Sequence, residues 1–425
     1  MFQYGFTLVL TRLVSFLFTL LIIRSLPITD TGTYYYLLGI TTILEIFLTW
    51  GSPVTIQTQS GKNKNSNLAF SAGILAVILG FIIFILFIIS QKNHFYTDSI
   101  TTIGILFIIS TTFCNSLTNI ALAHYRSKLN IKNDIYILLA KEILKFLVIL
   151  VLQFFFILNF ENILILICSI NALIILSVFI NLKRETEKKS IELKKDLRYL
   201  TKQGFFLMLT FLVYSFPIIF IRIFGYLKFG KEAGGLLNIC LLTNAGFQLY
   251  TTSWGMAIKP IIGRLNNQKD TTGIFKLWKD TNQIYTFGCI VIYTLAVVFY
   301  SPVLQLFKLN PNLTYVTNVY FIILFYNLIY SLGAINNSFL QMLKLTKVEI
   351  KAMSLSLLLY PIIIYYCMYK NVETLAWGVV ALELFKLSVQ EFVLFFKSDL
   401  KFVPKLMFHA LIIMIAGVIS LCYLI

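Results

Sequence analysis

The sequence predicts an all-α polytopic membrane protein: two six-helix bundles around a central cavity, with a thirteenth, C-terminal helix. Three observations predict it. The 425 residues are 58% apolar and only 12% charged, about half the charge that a soluble surface carries. The apolar residues gather into runs of about twenty, the length a helix needs to cross the hydrocarbon core. Short loops separate the runs, and basic residues concentrate in every second loop.

The runs fall at 6–25, 34–57, 68–90, 99–122, 135–158, 162–181, 203–225, 234–258, 280–302, 314–340, 352–369, 374–396 and 406–424. The first contains Arg12, lacks a basic region before it and has no small-x-small cleavage pattern after it. It therefore reads as a retained helix rather than a signal peptide. When the loops are taken alternately, one side holds 24 basic residues and the other 5. That bias puts the N-terminus and the basic loops in the cytoplasm. The loops also place most of the formal net charge of +17 on the cytoplasmic face, against anionic lipid, so nucleic acid is not needed to explain it.

The longest loop, 182–202, is rich in both charges and falls after six runs. It divides the chain into an N-terminal half (1–181), a basic cytoplasmic linker (182–202), a C-terminal half (203–396) and an extra segment (397–425). An internal repeat agrees with this division. Gly5 precedes Arg24 by 19 residues and Gly204 precedes Arg222 by 18, while Trp50-Gly51 and Trp254-Gly255 close the second span of each half. Six spans per half is an even number, so the two copies share one orientation.

Charged groups inside hydrocarbon are costly, by about 2.5–3.5 kcal/mol each on insertion scales, and so become candidates for function. Six basic residues (Arg12, Arg24, Lys141, Lys145, Arg222, Lys386) and four acids (Glu45, Glu142, Glu383, Glu391) lie in or at the ends of runs. Arg12 has no acid in its own helix and calls for a watery cavity or a distant partner. Lys141 and Lys145 read as snorkelling to the interface or pairing with Glu142. Glu383 and Lys386, at i and i+3, can neutralise each other. The surplus is basic, and arginine suits bidentate contact with phosphate or carboxylate. Pro217, five residues before Arg222, marks a candidate hinge. The six cysteines all sit in apolar runs without metal-ligand spacing. No P-loop, GxSxG, HExxH or DxD pattern occurs, so the chain does not read as an enzyme or an ATP-driven pump, and no metal site or cofactor is expected.

Several stretches carry a resemblance: Arg12-Leu-Val-Ser-Phe16, Ile23-Arg24-Ser-Leu26-Pro27, Thr31-Gly32-Thr-Tyr34-Tyr35, Trp50-Gly51-Ser-Pro-Val and Ala257-Ile-Lys-Pro260-Ile-Ile-Gly-Arg264. They are similar to the Wzx-type O-antigen flippases of the multidrug/oligosaccharidyl-lipid/polysaccharide (MOP) exporter superfamily. The resemblance implies flipping of undecaprenyl-diphosphate-linked oligosaccharide across the bacterial inner membrane by alternating access, for surface polysaccharide. It implies Arg12, Arg24, Arg222 and Lys386 as the cationic substrate path, and Glu45 or Glu383 as the group that couples H+ or Na+. A polysaccharide polymerase and a chain-length regulator are the implied protein partners, beside the bilayer itself. A cation-coupled drug or metabolite antiporter of the same superfamily is the alternative, and would favour inward-facing acids.

Overall fold

A computed structural model describes residues 2–59, 67–92, 101–127, 131–155, 159–186, 193–343 and 370–397, with a few positions between 345 and 366. The thirteenth run and most of 352–369 lie outside the described residues. Among those described, all regular structure is helical, and seven stretches are long and apolar enough to cross a membrane.

The helices are α1 (Phe2–Ser25), α2 (Ile28–Thr49), α3 (Ser52–Gln59), α4 (Asn67–Lys92), α5 (Thr102–Ser127), α6 (Ile131–Phe155) and α7 (Phe160–Thr186). They continue as α8 (Leu193–Leu242), α9 (Asn244–Asn267), α10 (Thr271–Val298), α11 (Tyr300–Leu306), α12 (Thr314–Met342) and α13 (Val372–Lys397). The chain divides into two compact units, 1–219 and 220–425.

In the first unit α5 is the hub. It packs against α2, α3, α4, α6 and α7, while α1 lies along α6. In the second unit α12 takes that place, packed against α9, α10 and α13. Its sequence is apolar on every side, and it is buried along nearly its whole length. A fully buried helix must satisfy its own hydroxyls, and Ser331 does so by donating to the Asn327 carbonyl at 2.8 Å. Each unit is thus organised around its fourth span.

The Trp-Gly pairs, however, are not conformational equivalents. Trp50 (φ 46°) and Gly51 (φ 66°) both adopt left-handed backbone and separate α2 from α3, whereas Trp254 and Gly255 run on helically inside α9. The elbow at Gly51 seats on the start of α8. Trp50 Nε1 donates to the Thr201 carbonyl at 3.2 Å, and the Trp50 carbonyl lies where a side chain on Gly204 would sit.

The runs at 203–225 and 234–258 meet at Gly230, whose φ of 88° and ψ of 176° interrupt α8. That conformation is essentially reserved for glycine. The two limbs fold back closely: a Cβ on Gly234 would stand 3.1 Å from the Tyr226 Cα. Pro217, by contrast, lies in backbone that stays helical, so the break in α8 falls at Gly230.

Candidate functional site

In the first unit a polar layer crosses the apolar interior, built from residues one helical turn apart on facing helices. Asn115 and Asn119, at i and i+4 on α5, meet Glu45 of α2. Asn119 Nδ2 donates to Glu45 Oε1 at 2.7 Å, and Asn115 also bonds the carboxylate. From α6, Lys141 Nζ donates to Asn115 Oδ1 at 2.7 Å. The amides therefore link the carboxylate to the ammonium without direct contact between the two charges. Lys145, one turn further along α6, is 8% exposed.

Arg12 and Arg24 are both exposed on α1. They stand twelve residues apart, about 18 Å along the axis and roughly 120° around it, so they do not converge. Arg12 makes no hydrogen bond or ion pair among the described residues.

In the second unit the expected neutralisation is present. Lys386 and Glu383 form an ion pair within α13, with both side chains buried. Lys386 Nζ also lies 5.0 Å above the ring of Tyr330 on α12, a cation–π contact that further offsets the cost of a buried ammonium. Gln390, one turn on, is fully buried. Arg222 is half-buried in α8, three residues before Gly225, where that limb meets Leu237.

In the same unit, Tyr285 of α10 ties three helices together. Its hydroxyl donates to the Ser331 carbonyl at 2.8 Å and lies 2.8 Å from Thr251 Oγ1 on α9. Its ring stacks on Tyr250 at 5.1 Å. Asn327 adds a bond from α12 to Thr243 Oγ1 at 3.1 Å.

The residues that reading by charge passed over are therefore Asn115, Asn119 and Tyr330, together with the burial of Lys145. A usable signal was there: Asn115/Asn119 and Lys141/Lys145 are both i, i+4 pairs, which place each pair on one helix face. As chemistry, the two clusters can bind charged or hydroxylated groups and hold charge in hydrocarbon. Among the described residues there is no group of His, Cys, Asp and Glu that could hold a metal ion.

No protein-family model and no curated protein matches the chain in sequence. Solved structures do match in fold. The MATE multidrug transporter DinF-BH superposes with a TM-score of 0.72 at 14% identity, covering 94% of this chain and 95% of that one. A substituted Vibrio cholerae MATE transporter, VcmN, gives 0.67 at 14% identity, covering 95% and 98%. A MOP superfamily transporter from Pyrococcus furiosus, described as having a binding pocket of reverse polarity that suggests a different function, gives 0.63 at 11% identity, covering 97% and 96%. At these identities the likeness speaks for architecture alone, and that architecture is MATE-like.

Proposed function

We propose that the chain moves an anionic, lipid-linked oligosaccharide of the undecaprenyl-diphosphate class from the cytoplasmic to the outer leaflet of the bacterial inner membrane. The observation that carries this reading is an asymmetry among the intramembrane charges. The two acids that cation coupling would call on are both engaged: Glu45 by Asn119 and Asn115, Glu383 by Lys386. Arg12 is exposed and makes no hydrogen bond or ion pair among the described residues, so the charge left for a ligand is positive. A guanidinium matches a diphosphate bidentately and stays ionised throughout. The glycan would cross along a hydrophilic path while the prenyl tail remains in lipid, with Arg12, Arg24 and Arg222 as the basic groups of that path, and Lys386 joining them only when released from Glu383. Coupling to H+ or Na+ would require Glu45 or Glu383 to leave its present partners. A polymerase and a chain-length regulator would take over the flipped unit.

The test is complementation of a bacterial strain that lacks its own flippase. Wild type restores surface polysaccharide, and Arg12→Ala and Arg24→Ala each reduce it severely while the protein still reaches the membrane. Full restoration by both variants would sink the anion path.

The second reading is a cation-coupled drug antiporter, favoured by the fold shared with transporters described as multidrug MATE proteins. It is separated by dye efflux from energised cells. Under the flippase reading, expression of the chain leaves rhodamine and ethidium accumulation unchanged.

A further inference from the structure

The flippase reading assigns the cationic path to α1, α8 and α13, yet the first unit holds two more ammonium groups within a membrane-spanning helix. We propose that Lys141 and Lys145 of α6 form an intramembrane subsite for a diphosphate group, with Glu45, held nearby by Asn115 and Asn119, as the acid that opposes an anionic ligand there. The inference rests on the anion-transport reading and extends it to residues that reading does not use.

Four observations carry it. Lys145 is 8% exposed and makes no hydrogen bond or ion pair among the described residues. The charges that act on it are Lys141, which repels it, and Glu142, which attracts it. An ammonium in such a place is costly unless something satisfies it. Among the described residues Lys141, one turn away on the same face, bonds a neutral amide, Asn115, and no carboxylate.

Glu45 approaches through Asn119 and Asn115 rather than by direct ion pairing, so it stands beside the ammonium groups without blocking them. Finally, α1 packs along α6, and the two are the first and fifth spans, which cross the bilayer in the same direction. Arg12 and Lys141 each lie ten residues from the start of their helix, about 15 Å at 1.5 Å per residue. One layer thus holds three cationic groups (Arg12, Lys141, Lys145) against two acids (Glu45, Glu142). Phosphate oxygens are the ligand that ammonium point charges at this spacing suit.

The test measures binding of farnesyl diphosphate, a short prenyl diphosphate, to the full chain in phosphatidylcholine nanodiscs, with inorganic pyrophosphate as competitor. The expected result is that wild type binds and pyrophosphate competes. Lys145→Met and Lys141→Met each weaken binding by about tenfold or more, as expected for a lost charge-assisted bond. Lys145→Arg retains binding, and Glu45→Gln tightens it. The opposite signs of the lysine and Glu45 variants exclude a merely structural effect, which would weaken binding in every case. Lys228→Met, exposed in α8 two residues before the Gly230 break, serves as the neutral control.

If wild type binds but the lysine and Glu45 variants are unchanged, the subsite is overturned and the flippase reading stands. If wild type binds farnesyl diphosphate and pyrophosphate fails to compete, the prenyl tail drives binding and phosphate recognition here is overturned. If wild type binds no diphosphate at all, both readings fail together.

Discussion

Arg12 and Lys386 are both intramembrane cations, and their surroundings give them opposite profiles. Lys386 is sealed against Glu383 and the Tyr330 ring. Removing one member of a buried pair leaves the other uncompensated and costs about 3–5 kcal/mol, whereas replacing both with apolar groups of similar volume is often nearly neutral. Lys386→Met alone should therefore lower the thermal midpoint of the purified protein clearly, and the double variant Glu383→Leu/Lys386→Met should recover most of the loss. Arg12 is exposed, so Arg12→Ala should change stability by no more than about 0.5 kcal/mol while impairing transport. This separation of stability from activity is what a ligand-facing charge produces. The sequence made the Glu383–Lys386 pair legible, because i, i+3 spacing alone brings the two charges together. The same i, i+3 spacing joins Glu142 to Lys145, yet Lys145 makes no ion pair among the described residues, because pairing, snorkelling and burial are decided by which neighbour covers the face of α6. Asn115 and Asn119 escaped notice because a neutral amide is invisible to a search for charge, although it is polar enough to hold a carboxylate.

Breaks and caps set where each helix ends, and three of them can be tested. Gly230 has open space where a Cβ would stand but sits at φ 88°, so Gly230→Ala meets backbone strain alone, worth about 1–3 kcal/mol. At Gly51 strain and collision combine: φ is 66°, and a Cβ would stand 2.5 Å from the Leu207 Cβ. Gly51→Ala should therefore destabilise more than Gly230→Ala in the same thermal assay, and equal losses would contradict the seating of the α2–α3 elbow on α8. Asp270 caps α10 by accepting from the Gly273 amide at 2.8 Å and from Thr272 Oγ1 at 2.9 Å. These bonds favour the charged form and lower its pKa below the usual carboxylate range. Its contribution is then present above the unfolded-state pKa and lost as pH falls through the lower folded value. Asp270→Ala should lower the midpoint at neutral pH, and the gap from wild type should narrow in acid. Helix positions were largely readable from the apolar runs, since a span must be long and continuous. The elbow was read as the end of a span, because a short continuation such as α3 carries no hydrophobic signal of its own. The gap between the runs ending at 225 and beginning at 234 placed the break in α8 but did not say which residue makes it: proline advertises itself as a helix breaker, whereas a glycine such as Gly230 reveals its conformation only when the limbs on either side of it fold back together.

Across the whole chain, the two units share one packing order. α5 and α12 are the fourth spans of their units and the most enclosed helices in them, although the Trp-Gly markers that suggested the repeat adopt different backbones. Packing order is thus shared where the local sequence signals are not, as expected when the duplicated feature is which span the others surround. The charge distribution predicts how the chain should sit in the bilayer. Basic residues number 24 on one set of loops and 5 on the other, and the positive-inside bias predicts that the richer set stays in the cytoplasm. Gln268, in the turn between α9 and α10, and Asn312, just before α12, are both exposed and are separated by the α10 span. In a cysteine-free background, a membrane-impermeant maleimide applied to intact cells should label Asn312→Cys, and should label Gln268→Cys only after the cells are opened. The reverse pattern would place the basic loops outside. It would also turn Arg12, ten residues into α1, away from the leaflet in which a lipid-linked sugar is assembled, and the proposed direction of transport would fall with it.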